Sequence, residues 1–405
     1  MKRRLLPMMM TLVLVCALPI WAAFVTSGDV TNPLLTTADA AELTLQGMID
    51  QANAGDTIKL SSNTEIAATL QITKNLTLDL NGHVLKMTGS GSVLKVSDRA
   101  TLTIQDSSAN GTGTITGGNA EYAGGVYVDN NATLKMTGGC ITGCRAEDGG
   151  GVYIDNNATL KMTGGCITDC HASYGGGIYS YGNLYMGGTA KIEKCTSNGG
   201  SYDAIWNKGG DMYADGGTVD GTVNNQGTIK HSNGVTDVTV FNEAVYNRAK
   251  KIIEAGIYKG TVENRGSITG GTFYGGVTDD GGTIRGGTFA VTFDIGDGTK
   301  TEPTLVEYNN PVPERAAPIK SGHTFTGWYL GEEKYNFDTP VTAPLTLTAK
   351  WEKVPSSGGY YYYPTTDTKA DDAKGSPKTA DPGIALYAAL SLLSLTGLTC
   401  TAKKR

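Results

Sequence analysis

Residues 124–144 read GGVYVDNNATLKMTGGCITGC, and residues 150–170 read GGVYIDNNATLKMTGGCITDC, the same string with two changes at an offset of 26 residues. A third, looser copy opens at Gly176, passes through Ile178-Tyr179 and Leu184-Tyr185-Met186-Gly187-Gly188, and ends near Cys195. Ala204-Ile205-Trp206 marks a degenerate fourth. Self-similarity at such a period is the signature of a repeat architecture and takes precedence over local propensity. Within each unit the apolar residues alternate, as in Val126/Val128, Leu134/Met136 and Ile141, with Gly or Asn between the runs. Period-two alternation in short runs predicts several strands per unit, not a helix pair. A unit that small cannot bury its own apolar face, so successive coils are expected to stack in parallel.

The alternation continues upstream through Thr57-Ile58-Lys59-Leu60, Leu70-Gln71-Ile72, Leu76-Thr77-Leu78 and Thr101-Leu102-Thr103-Ile104. Apolar positions at Leu43, Leu45, Met48, Ile49 and Ala52 suit a short cap helix within 43–54. Downstream the pattern shortens: Gly260-Thr261-Val262 to Phe273 is echoed by Gly275-Gly276-Val277 to Phe289, which places a shorter coil from about residue 256. Residues 241–255, rich in Ala, Lys and Glu, read as a helical insertion. Together these stretches resemble the pectin-lyase-like right-handed parallel β-helix, and the resemblance places that solenoid over residues 42–290.

Residues 291–352 have a different texture, with Val291-Thr292-Phe293-Asp294, Pro318, Gly322, Phe325, Gly327-Trp328-Tyr329, Phe337-Asp338, Pro340 and Ala349-Lys350-Trp351. These positions resemble the internalin-B-type B repeat (Listeria–Bacteroides repeat) of bacterial surface proteins, which implies a small β-grasp-like module used in adhesion or spacing. The expected fold class is therefore all-β, a right-handed parallel β-helix followed by a small β-grasp-like module.

Both ends read as addresses. Lys2-Arg3-Arg4, an apolar run from Leu5 to Ile20 and the small Ala22-Ala23 form the plan of a secretory signal peptide, assigned to residues 1–27. At the other end Ser376-Pro377-Lys378-Thr379-Ala380-Asp381 precedes a largely apolar stretch to Ala402 and then Lys403-Lys404-Arg405. An apolar run of about 20 residues can halt in a bilayer, and a cationic tail holds its end inside. The arrangement over 376–405 resembles the cell-wall sorting signal of Gram-positive surface proteins, with Ser376 and Ala380 standing where the commonest L-P-x-T-G pattern has Leu and Gly. Sortase and peptidoglycan are the partners this implies, with Thr379 as acyl donor in a covalent link at the cell wall. Membrane contact would be confined to the C-terminal segment before processing. Residues 353–375, with a run of Ser, Gly and Tyr, read as a linker.

Charge narrows the function classes. The chain carries −6, and removal of the six terminal cations together with Asp381 takes it to −11. A surface so acidic, with no internal Lys/Arg cluster, is repelled by phosphate backbones, so no nucleic-acid partner is expected. A search for catalysis finds only fragments: Asp279-Asp280 and Gly82-His83-Val84 lie far apart, and His83, His171, His231 and His323 share no spacing. Asp129 and Asp155 fall one strand apart, about 4.8 Å, which makes them weak Ca²⁺ candidates against a turn-forming Asp-Asn ladder. No catalytic residue and no cofactor are expected, although a carbohydrate-active lyase or hydrolase is the alternative class.

Cys140, Cys144, Cys166, Cys170 and Cys195 are odd in number, which leaves disulfide, zinc and buried-thiol arrangements open, with a buried thiol ladder preferred. The candidate binding feature is aromatic. With Val126, Val152, Ile178 and Ile205 facing in, Tyr127, Tyr153, Tyr179 and Trp206 share one outer position on successive coils. Such a ladder suits stacking against glycan or contact with a host surface protein, and suits cross-strand stabilisation equally. The sequence thus describes a secreted, wall-anchored structural or adhesive protein, extracellular on a Gram-positive cell.

Overall fold

Alternating residues put a side chain inward at every second position, and here those inward positions line up from coil to coil. The computed structural model describes residues 24–26, 44–198 and 204–355. Short strands stack in parallel register in three columns. The first runs from Thr57–Lys59 through Leu76–Asp79, Thr101–Gln105, Thr133–Met136 and Thr159–Met162 to Thr283–Ile284. Its inward row, Leu102, Leu134, Leu160, Leu184, Met212, Ile229, Ile253 and Ile268, is buried throughout. The second column runs from Thr64–Ile66 to Thr288–Asp294 and buries Leu85, Ile115, Ile141, Ile167, Ile192 and Val219, then four rings, Phe241, Tyr258, Phe273 and Phe289. Those rings stack with centroids 5.0, 4.9 and 5.3 Å apart. The third column is a ten-stranded parallel sheet from Leu70–Ile72 to Val277–Asp279. The result is a nearly all-β, solenoid-like body whose parallel pairing runs without a break from Thr57 to Phe289.

A fourth, smaller sheet explains the coil lengths. Asn119–Tyr122, Arg145–Asp148, His171–Ala172 and Thr196–Ser197 pair in parallel between the second and third columns. Coils that include this side place Val126, Val152 and Ile178 26 residues apart. Past Ser197 the side is gone, and Ile205 pairs with Val223, 18 residues on. Shortening therefore begins at Ile205 and not at about 256 as the sequence reading had it. The helical insertion expected over 241–255 does not form. Val240–Phe241, Val245–Asn247 and Ile252–Ile253 are strands instead, because the stack buries Phe241, Val245 and Ile253 and leaves the Lys and Glu residues on the solvated turns.

The expected cap helix is present as Leu45–Gln51, with Thr44 Oγ1 accepting from Gly47 N. It buries Leu45 and Ile49 and ties to the first coil through Gln46 and the Gln71 backbone. Of the segment assigned to a signal peptide, 24–26 are described, as a strand antiparallel to Thr57–Lys59. Ser376, Pro377, Lys378, Thr379, Ala380 and Asp381, the apolar stretch behind them and nearly all of the linker lie outside the described residues. Among the described residues no helix is long and apolar enough to cross a membrane.

One inward row of the core turns polar along its length. The inward position of the third column changes from Val96, Val128 and Ile154 to Ser180 and then to Asn207, Asn225, Asn247, Asn264 and Asp279. Each carboxamide donates to the next: Asn207 to Asn225 at 3.0 Å, Asn225 to Asn247 at 3.1 Å, Asn247 to Asn264 at 2.9 Å and Asn264 to Asp279 at 3.2 Å. The four asparagines are 0–1 % exposed. Burying an amide is tolerable when its partners are built in, and a stack of identical amides builds them in.

The strand Thr288–Asp294 continues out of the last coil into the C-terminal module. Thr288 and Phe289 pair in parallel with Thr272 and Phe273, while Val291–Asp294 pair in parallel with Leu345–Thr348. The module adds Thr304–Glu307, His323–Leu330 and Glu333–Lys334, all antiparallel to their partners, and its core packs Phe293 edge-on against Trp328 at 4.8 Å.

Candidate functional site

The alternation that turns Val126, Val152, Ile178 and Ile205 into the core turns Tyr127, Tyr153, Tyr179 and Trp206 outward at matched register. Tyr127 and Tyr153 lie 5.2 Å apart and nearly parallel, and Tyr153 and Tyr179 lie 5.5 Å apart and parallel to within 4°. Trp206 tilts by 58° at the C-terminal end. The structure thus brings all four ladder residues together, but their ring faces are spent on one another. Tyr153 is 7 % and Tyr179 5 % exposed, because the four-stranded sheet folds a wall against them and Tyr181 abuts both from the other side. Each end of the ladder takes one of the chain's own ammonium groups, Lys95 over Tyr127 at 5.2 Å and Lys208 over Trp206 at 4.7 Å.

The wall carries the aromatic residues that sequence reasoning missed. Tyr122 and Asp148 are paired on the first two strands of the four-stranded sheet, and Asp148 is joined to Tyr174, just past the third strand, by an isolated parallel bridge, one residue per coil. Tyr122 meets Tyr153 edge-on at 5.2 Å, and Tyr174 meets Trp206 edge-on at 4.5 Å. Both remain substantially open to solvent, Tyr122 at 43 % and Tyr174 at 42 %. Their signal in the sequence was the position four residues before each inward Val or Ile: Tyr122 before Val126, Asp148 before Val152, Tyr174 before Ile178. The Asp148 carboxylate, half-buried between the two tyrosines, has no hydrogen bond or ion pair among the described residues. Desolvation and then the neighbouring Glu147 raise its pKa above the ordinary carboxylate value, with Lys208 pulling the other way. The surface here therefore joins the stacked ladder, two accessible tyrosines and one acid with no partner among the described residues.

The other candidates are engaged locally. Asp129 pairs with Lys95 at 3.1 Å and also accepts from Asn130 N. Asp155 accepts from the Tyr127 hydroxyl at 3.0 Å and from Asn156 N. Among the described residues no group of three His, Cys, Asp or Glu side chains is placed to hold a metal ion. Asp280 pairs with Arg265 at 2.6 Å and Asp279 ends the asparagine row, so the Asp-Asp pair serves the fold. His171 spans to Thr196 and Asn198 on the next coil.

The cysteines divide by face. Cys140 and Cys166 point outward and are joined as a disulfide, with Cα atoms 4.5 Å apart, in place of the fully reduced ladder favoured from sequence. The register explains it, since Ile141 and Ile167 take the inward position and leave the two sulfurs adjacent outside. Cys144, Cys170 and Cys195 are buried thiols, one per coil. Cys144, hydrogen-bonded with Cys170 and desolvated, has its pKa pushed far above the ordinary thiol value. Cys170 is lowered by its bond to Cys144 but raised by Cys195 and by burial, and ends at about 12.

Residues 289–350 match the family model of the Listeria-Bacteroides repeat domain. The repeat domain thus begins at Phe289, the last ring of the solenoid stack, two residues before the boundary read from sequence. Two curated proteins of Evansella cellulosilytica are similar to part of the chain. One, named "Putative Gly-rich membrane protein", is 38 % identical over 66 residues, 15 % of this chain and 8 % of that protein. The other, named "Putative membrane protein", is 37 % identical over 65 residues, 15 % of this chain and 10 % of its own length. The chain spans about a tenth or less of these relatives. No solved structure matches it.

Proposed function

We propose that this is a non-catalytic display protein of the bacterial surface. In this reading a right-handed parallel β-helix rod and a β-grasp-like repeat module are held at the Gram-positive cell wall by a sortase-processed C-terminus, and contact extracellular glycan or host protein. The observation that carries the reading is the strand Thr288–Asp294, which belongs both to the last coil and to the repeat domain. A rod continuous with its repeat domain projects a binding face as one piece, which is what a spacer on a surface protein requires. The repeat domain and the membrane-protein names of the two relatives agree with a place at the cell surface. Right-handedness is the default for parallel strands joined by crossovers in one sheet. A non-catalytic role agrees with Asp129, Asp155, Asp279 and Asp280 each being held in a local bond.

The test is mass spectrometry of muramidase-released wall material from the native host. A peptide ending at Thr379 and joined to a cross-bridge amine is the expected result. An intact C-terminus through Arg405, recovered in the membrane fraction, would overturn the sortase reading.

A further inference from the structure

We infer that Asn233, followed by Gly234, is a site of spontaneous covalent modification at which the side-chain amide is lost and an aspartyl or isoaspartyl residue forms. This goes beyond the surface-display reading and does not depend on it. The reaction needs only the chain and water. The backbone nitrogen of the residue after the asparagine bonds to the asparagine Cγ and gives up its proton to solvent. The bond from Cγ to the side-chain nitrogen breaks, and that nitrogen takes a proton and leaves as ammonia. Water then opens one of the two carbonyls of the cyclic imide, giving aspartate or isoaspartate with no change of oxidation state. A following glycine favours the attack because it has no Cβ to crowd the approaching atoms. Two freedoms are required as well: the attacking N–H must be unbonded, and the asparagine side chain must be able to swing onto it.

The chain has four Asn-Gly steps, at Asn81, Asn110, Asn198 and Asn233, and the structure separates them. At the first, both reacting groups are held: Gly82 N donates to Asp106 Oδ1 at 2.7 Å, and Asn81 Nδ2 donates to the Leu60 carbonyl at 2.9 Å. The Asn198 side chain is held by His171 Nε2 at 2.9 Å and reaches Ser173 Oγ at 3.4 Å. Asn110 is exposed, but Gly111 N donates to the Ser108 carbonyl at 3.3 Å, an intermediate case. Asn233 has both freedoms. Among the described residues neither its side chain nor the Gly234 N–H makes a hydrogen bond. A Cβ built on Gly234 would meet nothing within 4 Å, so the space around the attacking nitrogen is open. Residues 233–237 are all exposed, and the turn is closed by one long bond, Val235 N to Ser232 O at 3.3 Å. The preceding residue is fixed, since Ser232 donates to Asp215 through N at 2.8 Å and through Oγ at 2.6 Å. The product therefore sets a new carboxylate one residue from the Asp215 clamp, on a chain that already carries −6.

The experiment is incubation of the full chain in mildly alkaline buffer, folded and in urea, followed over time by anion exchange and by peptide mapping with isoaspartate detection. In the folded chain Asn233 is expected to convert at least about tenfold faster than Asn81, because a bonded N–H reacts only through local opening. Asn110 should fall between them. In urea the four steps should convert at comparable rates, which separates selection by the structure from selection by sequence. Asn233→Gln, at an exposed position, should keep the parent's thermal midpoint and remove the first species of increased negative charge. Conversion of Asn81 or Asn110 as fast as Asn233 in the folded chain would overturn the inference. So would an Asn233 that keeps its amide when folded while the unfolded chain converts, or an acidic species that persists in Asn233→Gln. None of these outcomes depends on Thr379, so wall attachment stands or falls separately.

Discussion

An asparagine carries a donor and an acceptor on one flat group, and stacking at strand spacing lets each amide serve the next. That is why Asn225, Asn247 and Asn264 can replace the Val and Ile of earlier coils with each oxygen accepting from the amide before it, while the oxygen of Asn207, first in the row, has no partner among the described residues. Replacing Asn247 removes its bonds with Asn225 and Asn264 and its donations to the Lys251 and Ser267 carbonyls, costing about 1–3 kcal/mol. Asn247→Ala is therefore expected to lower stability by that amount in urea denaturation, whereas the exposed Asn130→Ala should change it little; equal small effects would contradict the row's role. The row was hard to read from sequence because its members lie 18, 22 and 17 residues apart, an irregular series that no fixed period reveals. The four ladder aromatics were legible because their period is regular. What was not legible is that Tyr153 and Tyr179 are covered, since the wall position recurs at the coil period but changes residue type, Tyr122, Asp148 and Tyr174, and only the fold-back lays it on the ladder.

At the scale of elements, the ring stack Phe241, Tyr258, Phe273 and Phe289 takes over where the aliphatic row of the second column ends. Tyr258 remains fully buried with its hydroxyl donated to Ala255 O at 2.6 Å. Truncating a ring in the middle of the stack removes contacts on two faces. Phe273→Ala is expected to cost about 3–5 kcal/mol, measured by chemical denaturation. A loss below about 1 kcal/mol would mean the stack had closed over the gap. The four-stranded sheet does the opposite kind of work. It adds a side to the coils that carry the tyrosines and is dropped once Thr196–Ser197 is passed, so the ladder is walled only where the coil is long. The helix expected over 241–255 failed for a related reason. Propensity favoured it, but Phe241, Val245 and Ile253, one on each of three short strands, gained burial on a preformed stack, and tertiary burial outweighs a propensity spread of tenths of a kcal/mol per residue.

At the scale of the whole molecule, the solenoid and the repeat domain share the strand Thr288–Asp294, so removing the second should unsettle the first. A chain ending at Gly287 loses Phe289 and uncovers Phe273. It is expected to show a lower thermal midpoint for the remaining coils by circular dichroism; an unchanged midpoint would mean the two parts are independent. Stability should also depend on pH at both extremes. Asp79 and Asp106 are raised by desolvation but lowered more by bonds from Ser107 and Gly113 among others, so their folded pKa values lie below 3.8. A depressed folded pKa contributes stability above the unfolded value that is lost as pH falls through the folded one. Burial and thiol hydrogen bonding raise Cys144 and Tyr258 above 9.0 and 10.0, and a raised folded pKa contributes stability that is lost as pH rises past those values. The urea midpoint should therefore be flat from about pH 5 to 8 and fall below 3.8 and above 9, and a profile unchanged at pH 10.5 would contradict the alkaline arm.

Sequence by itself determined the strand alternation, the 26-residue coil, the cap helix, the matched column of Tyr127, Tyr153, Tyr179 and Trp206, and the repeat domain. All of these follow from local periodicity or from residues at fixed spacing. Tertiary structure alone decided where the coils shorten, which cysteines meet and which rings stay open to solvent. Those outcomes depend on which residues face each other across coils, and a chain written in one dimension does not state the distance between strands that are neighbours only after it has wound.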